Sequence, residues 1–157
     1  MLDKRVIFCT TISNEEKNFN NFFKLIDKLK KIFNESYIIL IESDSTDNTN
    51  QLFENEMESR NGEIHSLGNL RNKFVKRSKR LEICRNKYLS LINNNKFLRE
   101  FDYMIVLDAD NVNELLGPEA VNKSLVDLKD EEWSCLFPNQ LYFYYDIWAL
   151  RIQQLYE

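Results

Sequence analysis

Three short apolar runs constrain this chain most: Val6-Ile7-Phe8-Cys9, Tyr37-Ile38-Ile39-Leu40-Ile41 and Tyr103-Met104-Ile105-Val106-Leu107. Each is β-prone, and each stops abruptly at a polar cluster. Unbroken runs of this length suit strands covered on both faces, as in a parallel sheet. Between the first two, Phe19, Phe22, Phe23, Ile26, Leu29 and Phe33 recur at the spacing of one helical face. A second helix is expected to carry Leu52, Phe53 and Met57, with Ser45 or Thr46 as its cap and Asp47 in its first turn. A third is expected over about Lys73 to Ile92. A fourth follows Gly117-Pro118 through Val121, Leu125 and Leu128. Residues 60 to 73 read as a loop with room for a short strand at Glu63-Ile64-His65-Ser66. Trp133-Ser134-Cys135-Leu136-Phe137 reads as a fourth main strand, ended by Pro138. Strands alternating with helices predict an α/β fold: a Rossmann-like, mostly parallel sheet flanked by helices and joined by right-handed crossovers.

The chain has 157 residues, which fits a single domain, and 43% are hydrophobic, enough for a sizeable core. With 3 Gly and 2 Pro it is not a linker. A net charge of -4 argues against binding nucleic acid through bulk charge. Cys9, Cys84 and Cys135 are odd in number and lack zinc spacing, so a reducing, cytoplasmic setting is expected for the chain as it stands. No apolar stretch approaches the roughly 20 residues of a membrane span, and no signal peptide is visible. An anchor outside this sequence stays compatible with it.

In a parallel sheet, ligands bind beyond the carboxyl ends of the strands. Here those ends read Thr10-Thr11, Glu42-Ser43-Asp44 and Asp108-Ala109-Asp110. In an extended stretch, the two-residue spacing of Asp108 and Asp110 puts both carboxylates on one side. Two hard oxygen ligands there suit Mg²⁺ or Mn²⁺ shared with substrate phosphates; the bland alternative is a solvated acidic loop. Glu42 and Asp44 can accept hydrogen bonds from ribose hydroxyls or a base N–H, or serve a capping turn. On the third helix Arg77 and Arg85 share a column with Leu81, Tyr88 and Ile92, while Arg80 stacks with Cys84 and Leu91. Half-buried guanidiniums need partners, and a diphosphate or a carboxylate would supply one. His65 is a loop residue in this reading, and no Gly-rich phosphate loop exists. Tyr142-Phe143-Tyr144-Tyr145-Asp146-Ile147-Trp148 sets aromatics around one carboxylate. Such faces stack on sugar rings, and Asp146 could bond a hydroxyl or act as a base. The alternative is a hydrophobic plug.

With these clusters in place, the chain resembles the fungal capsule-associated α-1,3-mannosyltransferases, glycosyltransferases of the GT-A kind. The likeness is carried by Glu42-Ser43-Asp44-Ser45-Thr46-Asp47, by Arg80-Leu81-Glu82-Ile83-Cys84-Arg85-Asn86, by Asp108-Ala109-Asp110-Asn111 and by Tyr144-Tyr145-Asp146-Ile147-Trp148-Ala149-Leu150-Arg151. It implies a nucleoside-diphosphate sugar donor, a GDP- or UDP-sugar, and a divalent metal. It places Glu42 near the nucleoside, Arg80 and Arg85 near the donor, Asp110 as the preferred direct ligand of the Asp-x-Asp pair, and Asp146 facing sugar or acceptor. The family's strand end is often less regular than Asp-Ala-Asp. Its members also continue past Arg151, so a single GT-A-like domain, truncated or minimal on the acceptor side, is expected. Three readings compete: sugar transfer to a glycan or protein acceptor, a donor-binding module without turnover, and a phosphotransfer domain of flavodoxin-like topology. The last needs a late strand-end Lys, and Phe137-Pro138-Asn139 offers none.

Overall fold

A computed structural model describes residues 2–137. Four strands, β1 (Leu2–Ile12), β2 (Phe33–Glu42), β3 (Gly62–Ser66) and β4 (Tyr103–Val106), form one sheet in the order β3-β2-β1-β4, with every pairing parallel. The helices are α1 (Phe19–Leu29), α2 (Thr49–Met57), α3 (Arg77–Asn94) and α4 (Pro118–Asp127). The expected α/β sheet is therefore present. None of the helices among the described residues is long and apolar enough to cross a membrane.

Alternation along the strands decides which helix covers which face. Val6, Phe8, Ile38 and Leu40 point one way and pack on Phe22, Ile26 and Leu29 of α1 and on Phe53 and Met57 of α2. Val121 and Leu125 of α4 close on the same cluster. Ile7, Cys9, Ile39 and Ile41 point the other way, onto Cys84 and Tyr88 of α3. Phe53 is fully buried, with its ring centroid 5.2 Å from that of Phe19 and 5.3 Å from that of Phe23. At Gly62 an added Cβ would lie 2.3 Å from the Ile38 carbonyl oxygen, so the start of β3 admits no side chain.

Several boundaries differ from expectation. The first helix stops at Leu29, and after a 3₁₀ turn Phe33 opens β2 instead of closing α1. Its ring still joins the same cluster, which is why helical spacing failed to separate the two. Gly62–Ser66 is a genuine edge strand, and His65 belongs to it, paired to Ile41. The third helix begins at Arg77, not Lys73, because residues 70–74 form a hydrogen-bonded turn in which Lys73 N and Phe74 N both donate to Leu70 O. Ser45 and Thr46 do not cap α2. The N-cap position falls to Asn48, which makes no side-chain capping bond; Asp47, one residue before it, accepts from Thr49 N at 3.1 Å through Oδ1, and the Ser45 and Thr46 side chains face Asn14. Trp133–Phe137 is not a strand. Cys135 and Phe137 there are exposed, and Trp133 Nε1 donates to Leu128 O, a local contact that takes the place of a sheet ladder. Contacts divide the chain into two units, 1–126, which holds the sheet, and 127–157.

Candidate functional site

β1 lies between β2 on one side and β4 on the other, so the connection reverses direction at β1. A crevice at such a switch point opens beyond the carboxyl ends of β1 and β4. Three residues with left-handed backbone mark the loops that leave this edge: Asn14 after β1 (φ 57°), Asp44 after β2 (φ 63°) and Asn111 after β4 (φ 66°). Only Asn, Asp and Gly tolerate this conformation readily, and strained backbone of this kind gathers at functional sites.

Thr10 is buried, and its hydroxyl donates to Leu107 O, tying the ends of β1 and β4 together. Thr11 is half-buried beside it. At the end of β2, Glu42 is only 3% exposed. Its Oε1 accepts from Ser45 N at 3.0 Å and its Oε2 from the Ser66 hydroxyl. Asp44 turns back toward the loop after β3. Its Oδ1 accepts from Arg71 N at 2.7 Å, and its Oδ2 lies 3.2 Å from Arg80 Nε. Arg80 Nη1 also donates to the Phe74 and Val75 carbonyls, at 2.9 and 2.7 Å. Of the three guanidiniums expected to be half-buried on α3, Arg80 is, with its partners within the chain, whereas Arg77 and Arg85 are exposed. Glu42, Asp44, Ser45, Thr46, Asn50 and Ser66 line a depression of about 260 Å³, with Gly68 and Asn69 at its edge. Among the described residues, Asn50 Oδ1 is the buried side-chain polar atom without a partner, its own Nδ2 being taken by Glu54.

Asp108 and Asp110 are both exposed, on either side of buried Ala109. Asp110 Oδ1 accepts from Val112 N at 3.3 Å, and Asn113 Nδ2 donates to Asp108 O at 3.0 Å. Asn111 Nδ2 donates to Asn18 Oδ1 at 2.6 Å, and Asn18 Nδ2 to Glu15 Oε2 at 2.8 Å. Glu15 went unnoticed in the sequence. Burial raises its carboxyl above the ordinary range, the Asn18 hydrogen bond opposes this, and the charges of Asp110, Asp47 and Asp108 raise it further. Its position just past the first strand end is the signal that could have found it. Among the described residues, no group of three or more His, Cys, Asp or Glu side chains is placed to hold a metal ion alone.

Arg85 is exposed and borders a shallow depression of about 360 Å³ with Ser78, Leu81, Glu82 and Asn86. Its charge reaches Tyr88, whose hydroxyl burial raises; Arg85 opposes that shift, while Cys9 and Asp108 add to it. Arg77 is exposed in the first turn of α3. His65 Nε2 lies 2.7 Å from Glu63 Oε2 on β3. Asp146 lies outside the described residues.

No protein-family model matches the sequence, and no curated protein matches it. Among solved structures, the crystal structure of TarS 1-349 from S. aureus is similar, with a TM-score of 0.51 and 17% identity over 80% of this chain and 32% of that one. TarS is a glycosyltransferase. The likeness is one of fold and does not single out the fungal mannosyltransferases. This chain spans about a third of the TarS structure.

Proposed function

We propose that this chain binds a nucleoside-diphosphate sugar and transfers its sugar, a hexose such as mannose, to a glycan or protein acceptor. The observation that carries the reading is the pairing of two acidic strand ends about one switch point: Glu42 and Asp44 beyond β2, Asp108 and Asp110 beyond β4. The β2 side suits the nucleoside. Its depression is lined by the acceptors Glu42, Asp44 and Ser66, and nucleobase N–H groups and ribose hydroxyls are donors. The β4 side suits the diphosphate and a cation. The exposed Asp108 and Asp110 carboxylates would hold Mn²⁺ or Mg²⁺ together with phosphate oxygens and water, which would supply the remaining positions. When bound, such an ion neutralises charge on the departing diphosphate. Burial raises the Glu15 carboxyl most, and the charges of Asp110, Asp47 and Asp108 raise it further, the part of the shift that a cation would relieve.

In this reading Thr10 and Thr11 shape the floor of the crevice. Arg80 acts through Asp44, and Arg77 and Arg85 supply positive charge on the α3 side. Asp146 would be the base or the hydroxyl partner. Calorimetry with UDP and GDP, with and without Mn²⁺, tests the proposal. Micromolar affinity that weakens sharply in EDTA is expected, and Asp110→Ala should abolish the EDTA effect while leaving the fold intact. Equal affinity with and without chelator would remove the metal from the scheme; no nucleotide binding at all would end it. A donor-binding module without turnover is the second reading, favoured by Arg80 being satisfied within the chain by Asp44 and two carbonyls. Sugar release separates the two, and Asp146→Asn should bind nucleotide normally yet lose release.

A further inference from the structure

Positive charge is concentrated on one short stretch of this acidic chain. Arg71, Lys73, Lys76, Arg77, Lys79 and Arg80 fall within ten residues that contain no acid, in a chain of net charge -4. Arg80 turns inward to Asp44, and Lys79 pairs with Glu82 at 2.6 Å. Arg71, Lys73, Lys76 and Arg77 are exposed, and none forms an ion pair among the described residues. In their midst Val75 is 91% exposed, more than any other large hydrophobic residue of the described chain. The backbone beneath is held from inside, by Arg71 N on Asp44, by Phe74 N on Leu70 O and by Arg80 on the Phe74 and Val75 carbonyls. The cations and the valine are therefore displayed on a braced loop.

We propose that Arg71, Lys73, Val75 and Lys76 form a docking surface for an anionic lipid bilayer. Unpaired cations are attracted to anionic headgroups, each near-surface Lys or Arg strengthening binding about fivefold. An exposed apolar tip between them is costly in water and gains by entering the interface, a feature that a purely charged partner such as a nucleic acid does not use. Gly68 and Asn69, at the start of this loop, border the depression at the β2 end, so docking would hold that depression at the membrane surface. The inference stands apart from the proposed sugar transfer.

The test is cosedimentation of the whole chain with phosphatidylcholine vesicles, with and without phosphatidylglycerol. It is run at about 0.1 M and about 1 M salt, where the screening length falls from about 10 Å to about 3 Å. Binding is expected only with phosphatidylglycerol and only at low salt. Lys73→Gln with Lys76→Gln should weaken it roughly 25-fold, and Val75→Ser roughly fivefold through lost apolar burial. Melting temperature and GDP or UDP affinity should be unchanged in both variants, which keeps this result separate from the fate of the donor site. Absence of binding to the anionic vesicles, or equal binding to the neutral ones, overturns the proposal. So does heparin or RNA capture without vesicle binding, or full vesicle affinity in Val75→Ser.

Discussion

Asp44 joins the β2 end to the loop before α3, and its removal should be felt throughout that corner. The Asp44 side chain is 6% exposed and that of Arg80 14%, so screening by water is small. Deleting one member of a buried pair commonly costs about 3–5 kcal/mol; the two carbonyls that Arg80 retains argue for about 3. Alanine at φ 63° adds about 1 kcal/mol of backbone strain. Asp44→Ala should thus cost about 4 kcal/mol, a large share of the roughly 5–15 kcal/mol available to a domain. The melting temperature should fall by roughly 8–16 °C. Asp44→Asn tolerates the left-handed backbone and keeps an acceptor for Arg71 N, so about 1–2 kcal/mol is expected. Urea unfolding of both variants, followed by circular dichroism, gives the comparison. If Asp44→Ala lies within 1 kcal/mol of the parent (about a fivefold change in the folding equilibrium), or if Asn is as harmful as Ala, the Asp44–Arg80 contact does not brace the site.

Three further outcomes follow from the packing and the charges. Phe53→Ala should cost about 3–5 kcal/mol, because the ring is fully buried among Phe19, Phe22 and Phe23; an unchanged urea midpoint would show the cluster to be loosely packed. Arg60 holds the Asp27 carboxyl down to about 2 from 3.8, so its stabilisation is complete above the ordinary value and is lost as the pH falls toward 2. Asp27→Asn should flatten acid unfolding in that window, and an identical acid transition would refute the pairing. Burial pushes the Cys9 thiol up to about 12 and raises Cys84, while Cys135 is exposed. A thiol reagent near neutral pH should therefore modify one cysteine quickly and the other two only on unfolding; three fast reactions would contradict the burial.

By itself, the sequence determined the strand-helix alternation, the parallel sheet and the three polar strand ends. These follow from local periodicity, and side-chain alternation in a strand or the spacing of a helical face needs no knowledge of distant residues. The same local signal misled at Phe33, where a strand residue falls in helical phase with α1, and at Trp133–Phe137, where an apolar run lacks the ladder partners a strand requires. The short strand allowed for at residues 63–66 is present as the edge strand Gly62–Ser66, but its weak apolar pattern left His65 reading as a loop residue. Only the tertiary structure decided that Arg80 closes on Asp44, that Glu15 joins the electrostatic field of Asp108 and Asp110, and that the Ser45 and Thr46 side chains face Asn14 instead of capping α2. Each of these depends on which loops the sheet order brings side by side. That order is set by the simultaneous burial of two apolar faces, a global condition that no local stretch of sequence encodes.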